Sequence, residues 1–356
     1  MLLSGLTARG AVLQQLAKLQ FEEGENKMRN RHWLKGDCHL HTTNSDGEKT
    51  PEELYEALYK KGLDFAFITD HNYNTPGETE FNYKGVGIFP GLEISGNLGH
   101  ANVFGEHMLV RAVNRPQTED DYYALIDYFR SRGVHLSVNH PLDRSLLWRL
   151  GLDGVEPDSV EVWNSPMHND NVYCMDWWHQ LLLEGTFIPA IGGSDFHRDY
   201  YVTRLLASPT TYVYAYSNAM ADVLEAIRGG HVFVTNSPKA ARLFLTCGDK
   251  VPGDTADLAK DRSVKVSCDF LRRGQTLRVF NNDREIFTHH ADKREENVSF
   301  DVTVEARGFV RAQVCYQLTG KLAKGYIFGA TKFRRHDPGE GVPEFLYSFT
   351  NPIFFI

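Results

Sequence analysis

Short apolar runs alternate with segments of helical periodicity from residue 35 to about residue 235. The apolar runs fall at 65–69, 86–89, 134–138, 159–163 and 187–191. The first helical segment begins at Thr50 with a capping box and a proline at the first helical position, and Gly62 ends it. This alternation is typical of βα units built around a mostly parallel sheet. It predicts an α/β fold whose strand ends gather at one rim, where barrel enzymes place their active sites.

Histidines and carboxylates recur at the ends of these predicted strands. His39 and His41 are one residue apart, and residues i and i+2 of a strand point the same way, so both rings can reach one metal ion. The other candidate ligands are Asp46, His71, Glu93, His100, His140, Asp195 and His197. Each of them alone would be interpreted as a capping, core or surface residue. Together they indicate a site of nitrogen and oxygen ligands, which suits a metal ion that activates water better than a structural zinc ion.

The sequence changes character after about residue 238. Short alternating runs, separated by Gly and Asp clusters such as 248–249 and 252–254, replace the helical segments. This pattern is typical of an all-β sandwich. We therefore expect three parts: an N-terminal helical extension over 1–34, a barrel over 35–237 and a smaller β-sandwich domain over 238–356. The apolar start of the chain is interpreted as part of the helix and not as a signal peptide.

The composition narrows the classes of partner. A net charge of −8 over 356 residues argues against a surface that grips a phosphate backbone, so we expect no nucleic acid beyond nucleotide-sized substrates. The five scattered cysteines include no Cys-x-x-Cys pair, which indicates free thiols and a cytoplasmic protein. No apolar run reaches the roughly 18 residues of a membrane span, so no membrane partner is expected. The sequence leaves open whether the chain forms a homo-oligomer.

The motifs resemble those of the polymerase and histidinol phosphatase (PHP) family in residue type and in order. The matching segments are 39–41 with 45–47, 69–72, 91–95, 99–103, 139–141 and 193–197. The resemblance implies a distorted (βα)7 TIM-like barrel with two to three divalent metal ions, which would be Mn, Fe or Zn. Looser matches at 33–37, 209–215, 252–254 and 350–353 are similar to the carbaryl-hydrolase-like branch of the family, which carries a C-terminal β-domain.

The resemblance also implies how the ligands divide among the ions. One metal would be held by His39, His41, Glu93 and Asp195. A second would share Glu93 as a bridge and add His100 and His140. A third would be held by Asp46, His71 and His197. Within this centre the candidate catalytic residues are Glu93, Asp195 and His197, with Asp195 or a rim histidine moving protons.

The residues after the last motif are candidates for substrate binding. Arg198 and Arg204 could grip a phosphate, which a guanidinium holds bidentately, and surface salt bridging is the competing interpretation. His168 follows a predicted strand end and is a third candidate. The leading hypothesis is a phosphoesterase that hydrolyses phosphomonoesters or phosphodiesters of small molecules. The alternatives are a carbamate or carboxylic ester hydrolase on the same metal centre, and a non-catalytic metal-stabilised binding scaffold.

Overall fold

The computed structural model describes residues 30–105, 111–165, 170–199, 205–321, 323–324 and 344–356. His168, Arg204 and the first 29 residues of the predicted N-terminal extension lie outside the described residues. Residues 32–34, also assigned to that extension, instead belong to the first strand, where His32 pairs with Ala215. Within the described ranges, none of the helices has both the length and the apolar character required to cross a membrane.

In the first part of the chain four helices lie between groups of strands, and after residue 241 the elements are strands, apart from the helical residues 320–321 and 323–324. The helices are α1 (Pro51–Lys61), α2 (Glu119–Arg130), α3 (Asp170–Leu183) and α4 (Met220–Arg228). The strands are β1 (His32–Asp37), β2 (Phe65–Ile68), β3 (Phe81–Tyr83), β4 (Val86–Gly96), β5 (Gly99–Phe104), β6 (His135–Val138), β7 (Ser159–Asn164), β8 (Ala190–Gly193), β9 (Thr210–Ala215), β10 (Val232–Thr235), β11 (Arg242–Thr246), β12 (Thr255–Ala256), β13 (Ser263–Leu271), β14 (Gln275–Asn281), β15 (Arg284–His290), β16 (Glu296–Thr303), β17 (Gly308–Gln317), β18 (Glu344–Thr350) and β19 (Ile353–Phe355).

Local sequence signals explain where several elements begin and end. The Thr50 hydroxyl accepts a hydrogen bond from the Glu53 amide, and the Glu53 carboxylate accepts one from the Thr50 amide, so the predicted capping box starts α1. Gly62 ends α1 in the left-handed conformation, with φ of 69°. The strand predicted at 187–191 begins only at Ala190, because Pro189 has no amide hydrogen and gives the ladder only its carbonyl.

Sixteen strands form one large mixed sheet, so the fold is α/β as predicted. Strands β1, β2 and β4 run parallel to one another, and so do β6, β7 and β8. Strand β5 pairs antiparallel with both β4 and β6 and separates the two groups. Strand β9 pairs antiparallel with the other edge of β1. The strict alternation expected of a (βα)7 barrel is therefore interrupted at β5 and at β9.

The first part of the large sheet curls until its two ends meet. Leu40, just after β1, pairs with Phe196, just after β8, and the His41 amide donates to the Phe196 carbonyl at 3.0 Å. The Thr211 hydroxyl of β9 accepts from the Gly192 amide at 2.9 Å and donates to the Gly192 carbonyl at 2.6 Å. This closure brings the carboxyl ends of the parallel strands to one rim, where the candidate ligands lie.

The second part of the chain shares this sheet. Strands β11, β13 and β16 form a separate three-stranded sheet, whereas the remaining strands after residue 241 belong to the large one. The register Phe233↔Thr350 pairs β10 with β18. Phe349 is buried in the same apolar cluster as Trp163 and Trp178. The predicted β-sandwich is therefore joined to the predicted barrel by backbone pairing and by a shared core, and the boundary at residue 237 remains a prediction.

We expect Phe349→Ala to destabilise the whole chain. The Phe349 ring is fully buried, with centroids 6.5 Å from Trp163 and 5.9 Å from Trp178. Its removal should lower the free energy of unfolding by about 3–5 kcal/mol through lost burial and a cavity. Urea titration followed by tryptophan fluorescence measures the change. The control Ile356→Ala, at a side chain that is 65 % exposed, should change stability by less than about 0.5 kcal/mol. An equally small effect for both variants would contradict the shared core.

His135 gives the fold a defined sensitivity to acid. The ring is buried against Phe104, with centroids 5.7 Å apart, and its Nε2 lies 2.8 Å from the Ser159 hydroxyl. Burial lowers the pKa of His135 from 6.5 to about 3, because the charged imidazolium loses its hydration there.

We expect His135→Gln to reduce the loss of stability in acid. Between pH 6.5 and about 3 the unfolded chain protonates His135 and the folded chain does not. The free energy of unfolding therefore falls as the pH falls through this window, by up to about 1.4 kcal/mol per pH unit from this group. Urea titrations at several pH values should show a shallower slope for the variant. An unchanged slope would contradict a neutral buried His135.

Candidate metal centre

The closed rim of the sheet brings the nine predicted ligands into one cluster. His39, His41 and Asp46 follow β1, His71 follows β2, Glu93 lies within β4, His100 lies within β5, His140 follows β6, and Asp195 and His197 follow β8. Residues that are far apart in the sequence therefore contact one another at the carboxyl ends of the parallel strands, as the strand-end pattern predicts.

Glu93 lies at the centre of this cluster and is 1 % exposed. Its Oε1 atom is 3.2 Å from His39 Nε2, 3.0 Å from His100 Nδ1 and 3.6 Å from His140 Nε2. Its Oε2 atom is 2.6 Å from His71 Nδ1. One buried carboxylate thus lies within 3.6 Å of four imidazoles, and its role as a bridge between two ions stays a prediction.

An inner group combines Glu93 with His39 and His41, whose potential ligand atoms all lie within 4.8 Å of one another. Asp195 Oδ1 lies 3.0 Å from His41 Nε2 and 3.4 Å from His39 Nε2. The side chains of both histidines are fully buried. The structure thus brings together the four residues assigned to the first metal.

An outer group lies nearer the surface and consists of His41, Asp46, His71 and His197. Asp46 Oδ1 is 3.1 Å from His197 Nε2 and 3.5 Å from His71 Nε2. Three of these residues are the predicted third set, and the structure adds His41, which belongs to the inner group as well. The Asp46 side chain is 59 % exposed, so the cluster extends from the interior to the solvent.

A third group contains His71, Glu93 and His100. The predicted second set paired Glu93 with His100 and His140. The structure places His71 closer to Glu93 than His140, at 2.6 Å against 3.6 Å. The three groups overlap because His41, His71 and Glu93 each belong to two of them.

The pKa values of Glu93 and Asp195 lie well below the usual range, although burial favours the neutral form of both. Burial favours the neutral form of Glu93, but the adjacent His100 and His39 rings hold its pKa well below the usual range. Burial likewise favours neutral Asp195, and His39 and His41 lower its pKa well below the usual range. In return, the carboxylates of Asp195, Glu161 and Glu93 overcome burial and raise the pKa of His39. The ionised Glu93 carboxylate is buried and therefore requires positive partners, which protons or metal cations can supply.

The donor atoms fit divalent cations. His39 Nε2, which lies 3.2 Å from Glu93 Oε1 without hydrogen-bond geometry, and His140 Nδ1 are buried and have no hydrogen-bond partner among the described residues. An imidazole nitrogen in that position costs free energy unless a further group engages it. Imidazole and carboxylate are the ligand types that bind Mn, Fe and Zn. Cys38 is buried and belongs to none of the three groups of potential ligand atoms.

Asp70 fixes the turn that carries Asp46. Its buried carboxylate accepts hydrogen bonds from the Thr42 amide and the Thr42 hydroxyl, both at 2.7 Å, and from the Ser45 hydroxyl at 2.6 Å. The Thr75 hydroxyl is a further donor. Asp70 directly precedes His71, so the strand-end motif places Asp70 near the site. The sequence does not show that Asp70 binds Thr42 and Ser45, which lie 25 or more residues earlier.

Sequence reasoning missed two residues, Ser95 and Asn139, that contact the predicted ligands. The Ser95 hydroxyl lies 2.6 Å from His71 Nδ1, and Asn139 Nδ2 donates to Glu93 Oε1 at 2.8 Å. Each stands within two residues of a predicted ligand in the sequence. Serine and asparagine at strand ends are too common for that proximity to be a signal.

The predicted substrate contacts are the least defined part of the site. Arg198 donates to Glu48 Oε1 at 3.1 Å, and its side chain is 45 % exposed. This is the surface ion pair that was the competing interpretation, so a role of Arg198 in substrate binding remains a prediction. Arg204 and His168 lie outside the described residues.

Known proteins resemble this chain only distantly. No family model matches it, and no curated protein matches it. A two-domain protein from Bacteroides vulgatus that contains a predicted PHP-like metal-dependent phosphoesterase is similar over 89 % of this chain and 95 % of its own, with 17 % identity and a TM-score of 0.48. PsfC from Pseudomonas syringae is similar over 55 % of this chain and 87 % of its own, with 16 % identity and a TM-score of 0.41. An amidohydrolase from Chromobacterium violaceum, with bound sulfate and no metal, is similar over 46 % of this chain and 87 % of its own, with 15 % identity and a TM-score of 0.32. Likenesses of this strength define no activity for this chain.

The central position of Glu93 predicts unequal effects of two ligand variants. Glu93→Ala removes a carboxylate that contacts four histidines, whereas Asp46→Ala removes an exposed carboxylate at the outer edge. After incubation with Mn, Fe or Zn and desalting, Glu93→Ala should retain fewer ions per chain than Asp46→Ala. Elemental analysis measures the retained metal, and circular dichroism confirms folding. Equal retention would contradict a bridging Glu93.

Proposed function

We propose that this chain is a metal-dependent hydrolase that acts on phosphate esters. The observation that carries the proposal is the overlap of three groups of ligand-type residues that share His41, His71 and Glu93. Ions bound in overlapping groups would be neighbours. Neighbouring ions suit the several anionic oxygens of a phosphoryl group better than the single neutral oxygen of a carbonyl group.

The proposed ligands are those predicted from the sequence. His39, His41, Glu93 and Asp195 would hold one ion, Glu93, His100 and His140 a second, and Asp46, His71 and His197 a third. We propose two to three ions, drawn from Mn, Fe and Zn, because these metals accept imidazole and carboxylate together. When bound, such ions polarise the substrate and lower the pKa of water.

The exposure of the side chains suggests which residues hold the metal centre and which transfer protons. The side chains of His39 and Glu93 are 0 % and 1 % exposed, so their role is to hold the centre in place. Asp195 and His197 are each 25 % exposed, so a substrate could reach them from the solvent. We assign proton transfer to the Asp195 carboxylate and, where only two ions bind and the third position is empty, to His197 Nε2. A contact between His197 Nδ1 and the Asp195 carbonyl, 2.9 Å long, fixes the direction of the His197 ring.

The finer assignments belong to the same proposal. The curled part of the sheet, 35–237, would be a distorted PHP-type barrel, and residues 238–356 would be the β-domain of the carbaryl-hydrolase-like branch. The substrate would be a small phosphorylated molecule in the cytoplasm, with Arg198, Arg204 and His168 as its contacts. The order of the rim motifs along the chain supports these assignments.

Metal content is the first test of the proposal. The full chain, stripped with a chelator and then incubated separately with Mn, Fe and Zn, should retain about two to three ions after desalting, as the number of ligands and ordinary coordination require. Elemental analysis that finds no retained ion under any of these conditions would overturn the metalloenzyme.

Assays of the metal-reconstituted protein then distinguish between the chemical classes of substrate. p-Nitrophenyl phosphate, bis(p-nitrophenyl) phosphate and an aryl carbamate are assayed side by side with each metal. We expect turnover of at least one phosphate ester, and the loss of that turnover after chelation. Turnover of the carbamate alone would replace the leading function by the ester alternative. Bound metal without turnover of any of the three would favour the scaffold alternative.

A further inference from the structure

A second buried carboxylate, Glu161, stands behind the cluster. It lies within β7 and is 2 % exposed. Its Oε1 atom is 3.1 Å from His39 Nδ1, and its Oε2 atom accepts a hydrogen bond from the His140 amide at 3.1 Å. Glu161 thus contacts two predicted ligands, one through the imidazole ring and the other through the main chain.

Asn164, at the end of the same strand, extends this contact to a third predicted ligand. Its Nδ2 donates to Glu161 Oε2 at 3.1 Å and to Asp195 Oδ2 at 3.3 Å. The Asn164 main chain is held by Asn171 of α3, whose side chain accepts from the Asn164 amide and donates to its carbonyl, both at 2.9 Å. The first turns of α3 therefore fix the amide that joins the two carboxylates.

The backbone at two of the contacted ligands is strained. His140 has a φ of 28° and Asp195 a φ of 49°, both in the region that favours glycine. Residues keep such conformations only where their surroundings hold them, and they cluster at functional sites. Glu161 holds the His140 amide, and Asn164 holds the Asp195 carboxylate.

Gly193 makes room for this contact. A Cβ atom on Gly193 would overlap both the His39 Cβ and Glu161 Oε1. The absence of a side chain at the end of β8 is therefore required for Glu161 to reach His39. A close approach of this kind, built between three strands, is not expected of an incidental hydrogen bond.

We propose that Glu161 and Asn164 are positioning residues for the metal centre. Glu161 accepts the Nδ1 proton of His39, which selects the tautomer whose Nε2 lone pair faces Glu93 and Asp195. The same carboxylate and the Asn164 amide hold His140 and Asp195 in their strained positions. The pair would act only through the ligands, as the outer carboxylate partners of metal-binding histidines do. This inference rests on the proposed metal centre.

The test compares metal affinity in four proteins: the wild type, Glu161→Ala, Glu161→Gln and Ser159→Ala. Ser159 is a matched control, because it lies on the same face of β7 and its hydroxyl contacts His135, which is not a predicted ligand. Competition with a chromophoric chelator gives the Kd for Zn²⁺. We expect Glu161→Ala to raise this Kd by about 10–100-fold, Glu161→Gln to raise it less, and Ser159→Ala to leave it unchanged.

A second readout follows the His39 ring in the Zn²⁺-loaded proteins, using ¹⁵N-labelled histidine and NMR. The wild type should show a His39 Nδ1 proton whose hydrogen bond to Glu161 slows its exchange with water, and Glu161→Ala should lose this protection. Thermal unfolding of the metal-free proteins shows whether each variant folds. If Glu161→Ala does not fold, the Zn²⁺ affinity of Glu161→Gln tests the proposal in its place.

The outcomes separate this inference from the proposed function. Wild-type protein that binds Zn²⁺, together with Glu161 variants that bind it equally well, would overturn the positioning role and leave the metal centre standing. An equal loss in Ser159→Ala would show a general packing effect and would also overturn it. Wild-type protein that binds no Zn²⁺, Mn²⁺ or Fe²⁺ would overturn both.

Discussion

The ionised carboxylate of Glu93, buried among four histidines, is the interaction on which the rest of the site depends. A carboxylate in the interior is favourable only where positive charge and donors surround it, and here these come from β2, β5 and β6 as well as from the end of β1. Four segments must therefore converge on one side chain. The consecutive strands β1, β2, β4, β5 and β6 produce that convergence, and the closure of the sheet between Leu40 and Phe196 then adds Asp195 and His197 to the group.

The sequence predicted which residues gather at the site better than it predicted the architecture that surrounds them. The apolar runs, the caps of α1 and the rim position of His39, His71 and Glu93 all follow from local patterns with a fixed period. The antiparallel insertion of β5 and the pairing of β10 with β18 do not. Both depend on which strand lies beside which, and alternation of apolar residues contains no information about the partner of a strand.

The same limit applies within the site. A histidine next to an aspartate in a strand-end motif can be recognised as a ligand candidate, but the contacts of Asp70, Asn139 and Glu161 connect residues that only the closed fold brings together. Arg198 shows the opposite case. Its nearness in sequence to Asp195 suggested a substrate contact, yet the structure places its guanidinium on Glu48, since neighbouring residues of a loop can point to different surroundings.

The second part of the chain contributes to the site by holding the start of β8 in place. Asn351, between β18 and β19, accepts a hydrogen bond from the Ala190 amide and donates one to the Ala190 carbonyl, both at 2.8 Å. Ala190 begins β8, the strand that leads directly to Asp195 and His197. The polar groups of this strand start are thus satisfied by a residue more than 150 positions later. The position of two predicted ligands therefore depends on residues from both parts of the chain, which gives the shared sheet a functional consequence.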